Sequence, residues 1–171
     1  MPPIKSKSPF AGPVVLALLG AGLWLPAARE ARADAAAPFA GLSGKWSGEG
    51  SIALTNGTIE RLRCDAAYAV SGGGETLDQT LHCASDSYNF DLRDNFVDTA
   101  GQILGSWNEV TKGVTGGISG RASNGLIQVT VSGQAFTAAV TVATRGTEQA
   151  VKIRAQSGDL SRVTITLHRT R

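Results

Sequence analysis

Histidine and cysteine are scarce in this chain, two of each among 171 residues. There is no C-x-x-C, no H-E-x-x-H and no G-x-S-x-G, so the usual signatures of a zinc site, a zinc protease and a hydrolase nucleophile elbow are all missing. Aromatic residues make up 6% of the chain and charged residues 18%. Lys and Arg are scattered among Asp and Glu. A nucleic-acid groove needs a cationic stripe, so no nucleic-acid partner is expected. After residue 42 no stretch of helical period occurs, and no second long apolar run follows the one near the N-terminus, which argues against stable membrane insertion of the remainder.

That apolar run, "AGPVVLALLGAGLWL" at 11–25, follows Lys5 and Lys7 and precedes Ala31-Arg32-Ala33. A basic start, a short apolar core and a small-x-small site describe a secretory signal peptide, here 1–33 with cleavage before Asp34. An uncleaved anchor is the competing reading. Cleavage would remove Lys5, Lys7, Arg29, Arg32 and Glu30, turning a formal +2 (16 basic, 14 acidic) into 12 basic and 13 acidic side chains. The expected location is periplasmic or secreted. There Cys64 and Cys83 are expected to form a disulfide rather than bind metal. The Ala-rich segment 34–42 reads as a flexible lead-in, and 43–171 as one domain.

From residue 43 onward, short runs alternate between apolar and polar, punctuated by "TNG", "SGGG", "SDS", "DTAG", "SNG", "RGT" and "SGD". This pattern predicts an all-β protein. Inward residues must face inward residues across each hairpin, which fixes register. A turn at Gly73-Gly74 sets Val70 against Leu77, Tyr68 against Gln79, Ala66 against Leu81 and Cys64 against Cys83, with a four-residue loop at 72–75. The apolar pattern and the cysteines select the same register independently. Further hairpins set Leu81 against Phe90, Ile118 against Val131, Val129 against Phe136, Val140 against Val151 and Ile153 against Val163. One polar mismatch remains, Val142 against Gln149. Between 96 and 117 either Ile103 and Trp107 or Leu104 and Val110 could face inward. The expected fold is a single antiparallel up-and-down meander of about 8–10 strands, closed into a barrel because closure removes its exposed edges.

Gly44-Lys45-Trp46 stands at the start of the first strand, and Arg169 lies on the inward parity of the last. This resembles the calycin pattern of lipocalins and fatty-acid-binding proteins, in which a G-x-W on the first strand is covered by an arginine from the last. The resemblance implies that Trp46 and Arg169 form the barrel-closing pair. It also implies an exported barrel that binds a small apolar or amphipathic ligand. The lipocalin T-D-Y motif and the helical lid of fatty-acid-binding proteins are absent. In layout the chain is also similar to bacterial metalloprotease inhibitors, which combine a G-x-W barrel, one disulfide and an N-terminal trunk. That similarity implies a protease partner as the competing function.

No catalytic constellation is found, and neither enzymatic activity nor a metal or other cofactor is expected. His82 and His168 fall on outward parity. Asp91, Asp94 and Asp98 in "DLRDNFVD" lack the spacing of a calcium loop and read as a solvated turn. "GVTGGISG" precedes a strand and so is no phosphate loop. Gly117 and Gly120 read as kinks that let the sheet curve. Tyr68, Gln79, Phe90 and Phe136 are the candidate ligand-binding residues. A buried amide needs a partner, so Gln79 is expected to bond a wall residue, whereas Gln149 is expected to reach water at the rim. A monomer is expected. A ligand-binding barrel would need an interior cavity on the order of a few hundred Å3.

Overall fold

The structure is a computed structural model that describes residues 37–134 and 136–171. The segment read as a signal peptide, 1–33, lies outside the described residues, as do 34–36.

Ten strands follow one another: β1 (Gly44–Leu54), β2 (Ile59–Ser71), β3 (Thr76–Ala84), β4 (Asn89–Thr99), β5 (Gln102–Glu109), β6 (Val114–Ser123), β7 (Leu126–Gly133), β8 (Thr137–Arg145), β9 (Glu148–Ala155) and β10 (Leu160–Arg169). Each pairs antiparallel with the next, and β10 returns to β1, closing the barrel. The sequence pattern explains why. In β2, Leu62, Cys64, Ala66 and Tyr68 are buried while Arg61, Arg63 and Asp65 are exposed. A strand with one apolar face must cover it, and closure lets ten such faces cover one another.

The β2–β3 hairpin has the register that the cysteines require: Cys64 pairs with Cys83 at a Cα separation of 4.1 Å and the disulfide is formed. The β6–β7 hairpin turns at Asn124-Gly125, both at positive φ (50° and 75°), as a two-residue antiparallel turn demands. Ile103 (1% exposed) and Trp107 (9%) face inward, and Leu104 (66%) faces out, which settles the ambiguous stretch.

Three hairpins close at a different point from the one the sequence suggests. Cys83 pairs with Phe90 and Leu81 with Leu92. Val129 pairs with Val140, and Phe136 lies before β8 rather than within it. Val140 pairs with Ile153 and Val142 with Val151, around a two-residue turn at 146–147. Every displacement is by two or four residues, so the inward set keeps its face. The last one removes the polar mismatch, because Gln149 now faces Thr144 and bonds it.

The two ends of the barrel differ. At the end carrying the start of β1 the connections are tight: 72–75, 100–101, 124–125 and 146–147. This end is closed from below. Residues 37–42, expected to belong to a flexible lead-in, form a packed turn in which Phe39 is fully buried and Leu42 nearly so. The Phe39 N–H donates to the Gly74 carbonyl at 3.2 Å, and its ring meets Phe96 at 6.2 Å. Gly74 is glycine for a reason: at φ 102° a Cβ there would stand 2.7 Å from that of Ala37. The opposite end carries the connections 55–58, 85–88, 110–113, 134–136 and 156–159.

Sheet curvature is tied to particular glycines. A Cβ on Gly120 would lie 2.2 Å from the Gln128 carbonyl oxygen and 2.6 Å from the Val129 Cα. Gly117, by contrast, is exposed, with its nearest neighbour at 3.8 Å. Of the two glycines expected to act as kinks, Gly120 is crowded and Gly117 is not; within "GVTGGISG" the other crowded position is Gly116, where a Cβ would strike the Ser132 carbonyl oxygen at 1.9 Å. Gly120→Ala is therefore expected to destabilise the protein by about 1–3 kcal/mol, and Gly117→Ala to stay within about 0.5 kcal/mol of wild type. Urea unfolding of both variants checks this, and equal effects would contradict it.

Candidate functional site

At the closed end, the Trp46 indole is 1% exposed and donates from Nε1 to the Leu42 carbonyl at 2.9 Å. The Arg169 guanidinium lies over the ring at 4.6 Å and donates to the carbonyls of Ser43 and Gly41. Trp46 and Arg169 are also direct partners in the β1–β10 ladder. This ring is walled in and has no free face for a ligand. Tyr68 stands edge-on to it, with centroids 6.1 Å apart. The Tyr68 hydroxyl donates to Gln149 Oε1 at 2.6 Å, and Gln149 Nε2 donates to Thr144 Oγ1 at 3.1 Å. Gln149, expected at a wet rim, is thus 1% exposed and held by the wall. Burial pushes the Tyr68 phenol well above its ordinary range, against the opposing effect of the Gln149 bond.

Above this floor the inward face is less covered. Leu81 and Leu92 on one wall, and Val140, Val142, Val151 and Ile153 on the wall of β8 and β9, are only partly buried although all point inward. These inward side chains are therefore not fully covered by their neighbours across the barrel. Eight strands make a barrel that side chains can just fill, and ten make a wider one. A groove of about 450 Å3 also exists on the outside of the β2–β5 wall; most of the residues along it, such as Ala67, Ala69, Asp78, Thr80 and Asn95, point outward, and Tyr68, Gln79 and Asp94 border it as well. It is not the cavity lined by the inward set that a ligand-binding barrel was expected to show.

One cross-strand row concentrates the polar chemistry of the interior. Tyr68, Gln79, Asp94 and Trp107 are successive partners across β2, β3, β4 and β5. "DLRDNFVD" is therefore strand rather than a solvated turn, and it alternates: Phe90, Leu92, Asp94, Phe96 and Asp98 face in. Asp94 Oδ1 is buried with no hydrogen-bond partner. Gln79, expected to bond a wall residue, makes no side-chain hydrogen bond among the described residues. Burial alone raises the Asp94 pKa from 3.8 to about 7.

Glu109 provides the contrast. It also points inward and is 5% exposed, yet its carboxylate accepts from the backbone amides of Asp91, Thr111 and Lys112. Burial opposes its ionisation, and these amide bonds outweigh burial and hold its pKa below the ordinary value. Asp94 has no such support. Asp98 Oδ1 is likewise buried and unpartnered, at the closed end.

The four sequence-nominated residues are spread through the barrel. Tyr68 is committed to the floor and Gln79 stands beside Asp94. Phe90 is half-buried toward the open end, stacked on Tyr88 at 6.0 Å with Lys112 5.6 Å from its ring. Phe136 packs edge-on against Trp107 at 6.2 Å. Asp94, Trp107 and Glu109 were not nominated. Their parity with Phe96 and Ile103 was the available signal. Outside, His82 Nδ1 and Asp91 Oδ1 form an exposed pair at 2.7 Å. No group of three metal-binding side chains occurs among the described residues, and no helix there is long and apolar enough to cross a membrane.

A native Asp94 with a pKa near 7 holds a proton that the unfolded chain releases near pH 4. Between those values the folded state binds more protons, so its stability falls as pH rises from about 4 to about 7 and is level above. The Asp94→Asn variant should lose this fall. Thermal melts of both proteins from pH 4 to 8 check it: the wild-type melting temperature should decline relative to the variant, and parallel profiles would refute the assignment.

No protein-family profile and no curated protein sequence matches the chain. Among solved structures, it is similar to Rv2717c from M. tuberculosis, with a TM-score of 0.64 and 15% identity over 81% of this chain and 99% of that one. It is also similar to the S-type phycobiliprotein lyase CPES from Guillardia theta, with a TM-score of 0.53 and 12% identity over 75% of this chain and 88% of that one. At these identities the likeness is one of fold.

Proposed function

We propose that this protein is an exported, calycin-like binding barrel, non-enzymatic, that holds a small and largely apolar molecule in its lumen. The observation that carries the reading is the unpartnered Asp94 and Gln79 side by side on an inward face whose apolar neighbours are incompletely covered. Apolar walls with a few placed polar groups are the usual composition of a ligand site. Export is supported by the Cys64–Cys83 disulfide and by the leader-like composition of residues 1–33. One of the solved structures it is similar to is an S-type phycobiliprotein lyase, which favours a barrel that handles another molecule.

The competing reading, a protease-inhibitor trunk, is weakened by Phe39. That side chain is the plug of the closed end and is not free to enter a protease cleft. Residues 34–36 alone would remain as the trunk.

Filling the lumen tests the proposal. Val151→Phe adds bulk to a half-covered inward position. If the lumen has room, the variant should keep its stability to within about 1 kcal/mol, whereas overpacking a filled core costs about 1–3 kcal/mol. The same variant should abolish the saturable fluorescence that the neutral probe N-phenyl-1-naphthylamine shows with wild type. No probe binding by wild type, or unchanged binding by Val151→Phe, would overturn the reading.

A further inference from the structure

We infer that the lumen selects a ligand with a positively charged head, an organic ammonium group on an aliphatic body, and that Asp94 is its counter-charge. The inference rests on the binding-barrel reading above and adds the class of ligand. The charges on the inward face are few: Glu60, Asp94, Asp98, Glu109 and Arg169. Arg169 is spent on Trp46 and on the carbonyls of Gly41 and Ser43. Glu109 is spent on three backbone amides, and Glu60, at the open end, on the Ser85 hydroxyl and the Ser87 amide. Asp98 Oδ1 is unpartnered too, but it lies at the closed end beside the turn at 100–101, away from the half-covered walls. That leaves Asp94, and its three companions in the row are Tyr68, Gln79 and Trp107, none of them cationic.

A buried carboxylate oxygen without a donor is costly, and a protein that retains one must gain from it elsewhere. An ammonium ligand supplies both the missing charge and the missing donors, in a charge-assisted bond stronger than a neutral one. The surrounding groups suit such a head. The Gln79 amide oxygen can accept a second N–H from it. Trp107, next in the row, presents an aromatic ring of the kind that attracts ammonium groups. Its indole is anchored by the Nε1–H bond to the Ser132 carbonyl at 3.1 Å and lies along Gly116 and Gly133, where any Cβ would collide with it. The half-covered Val140, Val151 and Ile153 then meet the aliphatic body. An anionic ligand would meet an uncompensated acid instead.

The test is calorimetric titration of the folded protein with decylamine, decanol and decanoate, each below its micelle concentration, at pH 8. The three share a chain and differ in head charge. Decylamine should bind about tenfold tighter than decanol, and decanoate weakest. In Asp94→Asn, checked for folding by circular dichroism, the preference for the amine should shrink to less than about threefold. Equal affinities for amine and alcohol, preference for decanoate, or an amine preference that survives in Asp94→Asn would each overturn the charge assignment while leaving a binding barrel. No binding of any of the three would overturn the binding reading itself. The comparison among ligands on the wild-type protein needs no variant to fold.

Discussion

Trp46→Ala is expected to destabilise the protein by about 3–5 kcal/mol, the range for removing a fully buried large aromatic. The ring is 1% exposed, touches Tyr68 and bonds the Leu42 carbonyl. Removing it therefore opens the floor and also frees the turn at 37–42 that plugs it. Arg169→Ala should cost less, because that side chain is only partly buried. The two effects should not add. The guanidinium stacks on the ring, so once the ring is gone it has nothing to cover, and a double-mutant cycle should return a coupling of about 0.5–2 kcal/mol. Urea unfolding of the two single variants and the double variant measures it. Strict additivity would mean that the pair does not act as one closure.

Reduction of the Cys64–Cys83 bond is the second large effect. The two residues are 19 apart in sequence, and in the chain-entropy account a cross-link closing a loop of that size contributes about 3 kcal/mol. The melting temperature of Cys64→Ser/Cys83→Ser should fall on the order of 10 °C. The fold should persist at room temperature, because the β2–β3 register is also fixed by Val70 against Leu77 and Ala66 against Leu81. Cys83 stands four residues along β3 from Gln79, so ligand binding at Gln79 and Asp94 should be retained. Lost binding at unchanged stability would give the cysteines a functional role in place of a structural one.

These two expectations rest on features that the sequence shows directly. Register arithmetic finds Cys64–Cys83; strand parity turns Arg169 inward, and the resemblance to the calycin pattern sets it over Trp46. Where the hairpins close differently, at 85–88, 134–136 and 146–147, the displacement is even. Apolar alternation has a period of two, so it fixes which face is inward but not which inward residues meet. The site was harder to see. Three aspartates within eight residues suggest a solvated turn, and that composition outweighed the alternation of Phe90, Leu92, Asp94 and Phe96. Glu109 was obscured in the same way, although its parity matches Ile103 and Trp107. Phe39 and Leu42 belong to no periodic segment, so nothing local marks them as a plug. Their burial follows from the barrel end that they close.

The central claim is that the ligand enters the lumen and meets Gln79 and Asp94, and does not lie in the outer groove of the same wall. Proton–nitrogen correlation spectra of labelled protein titrated with decylamine test it most directly. The side-chain amide of Gln79 and the indole N–H of Trp107 should shift together and saturably. The indole N–H of Trp46, sealed beneath Arg169 and bonded to Leu42, should not move. Shifts confined to outward residues such as Thr80 and Asn95, or no saturable shift at Gln79, would contradict the account.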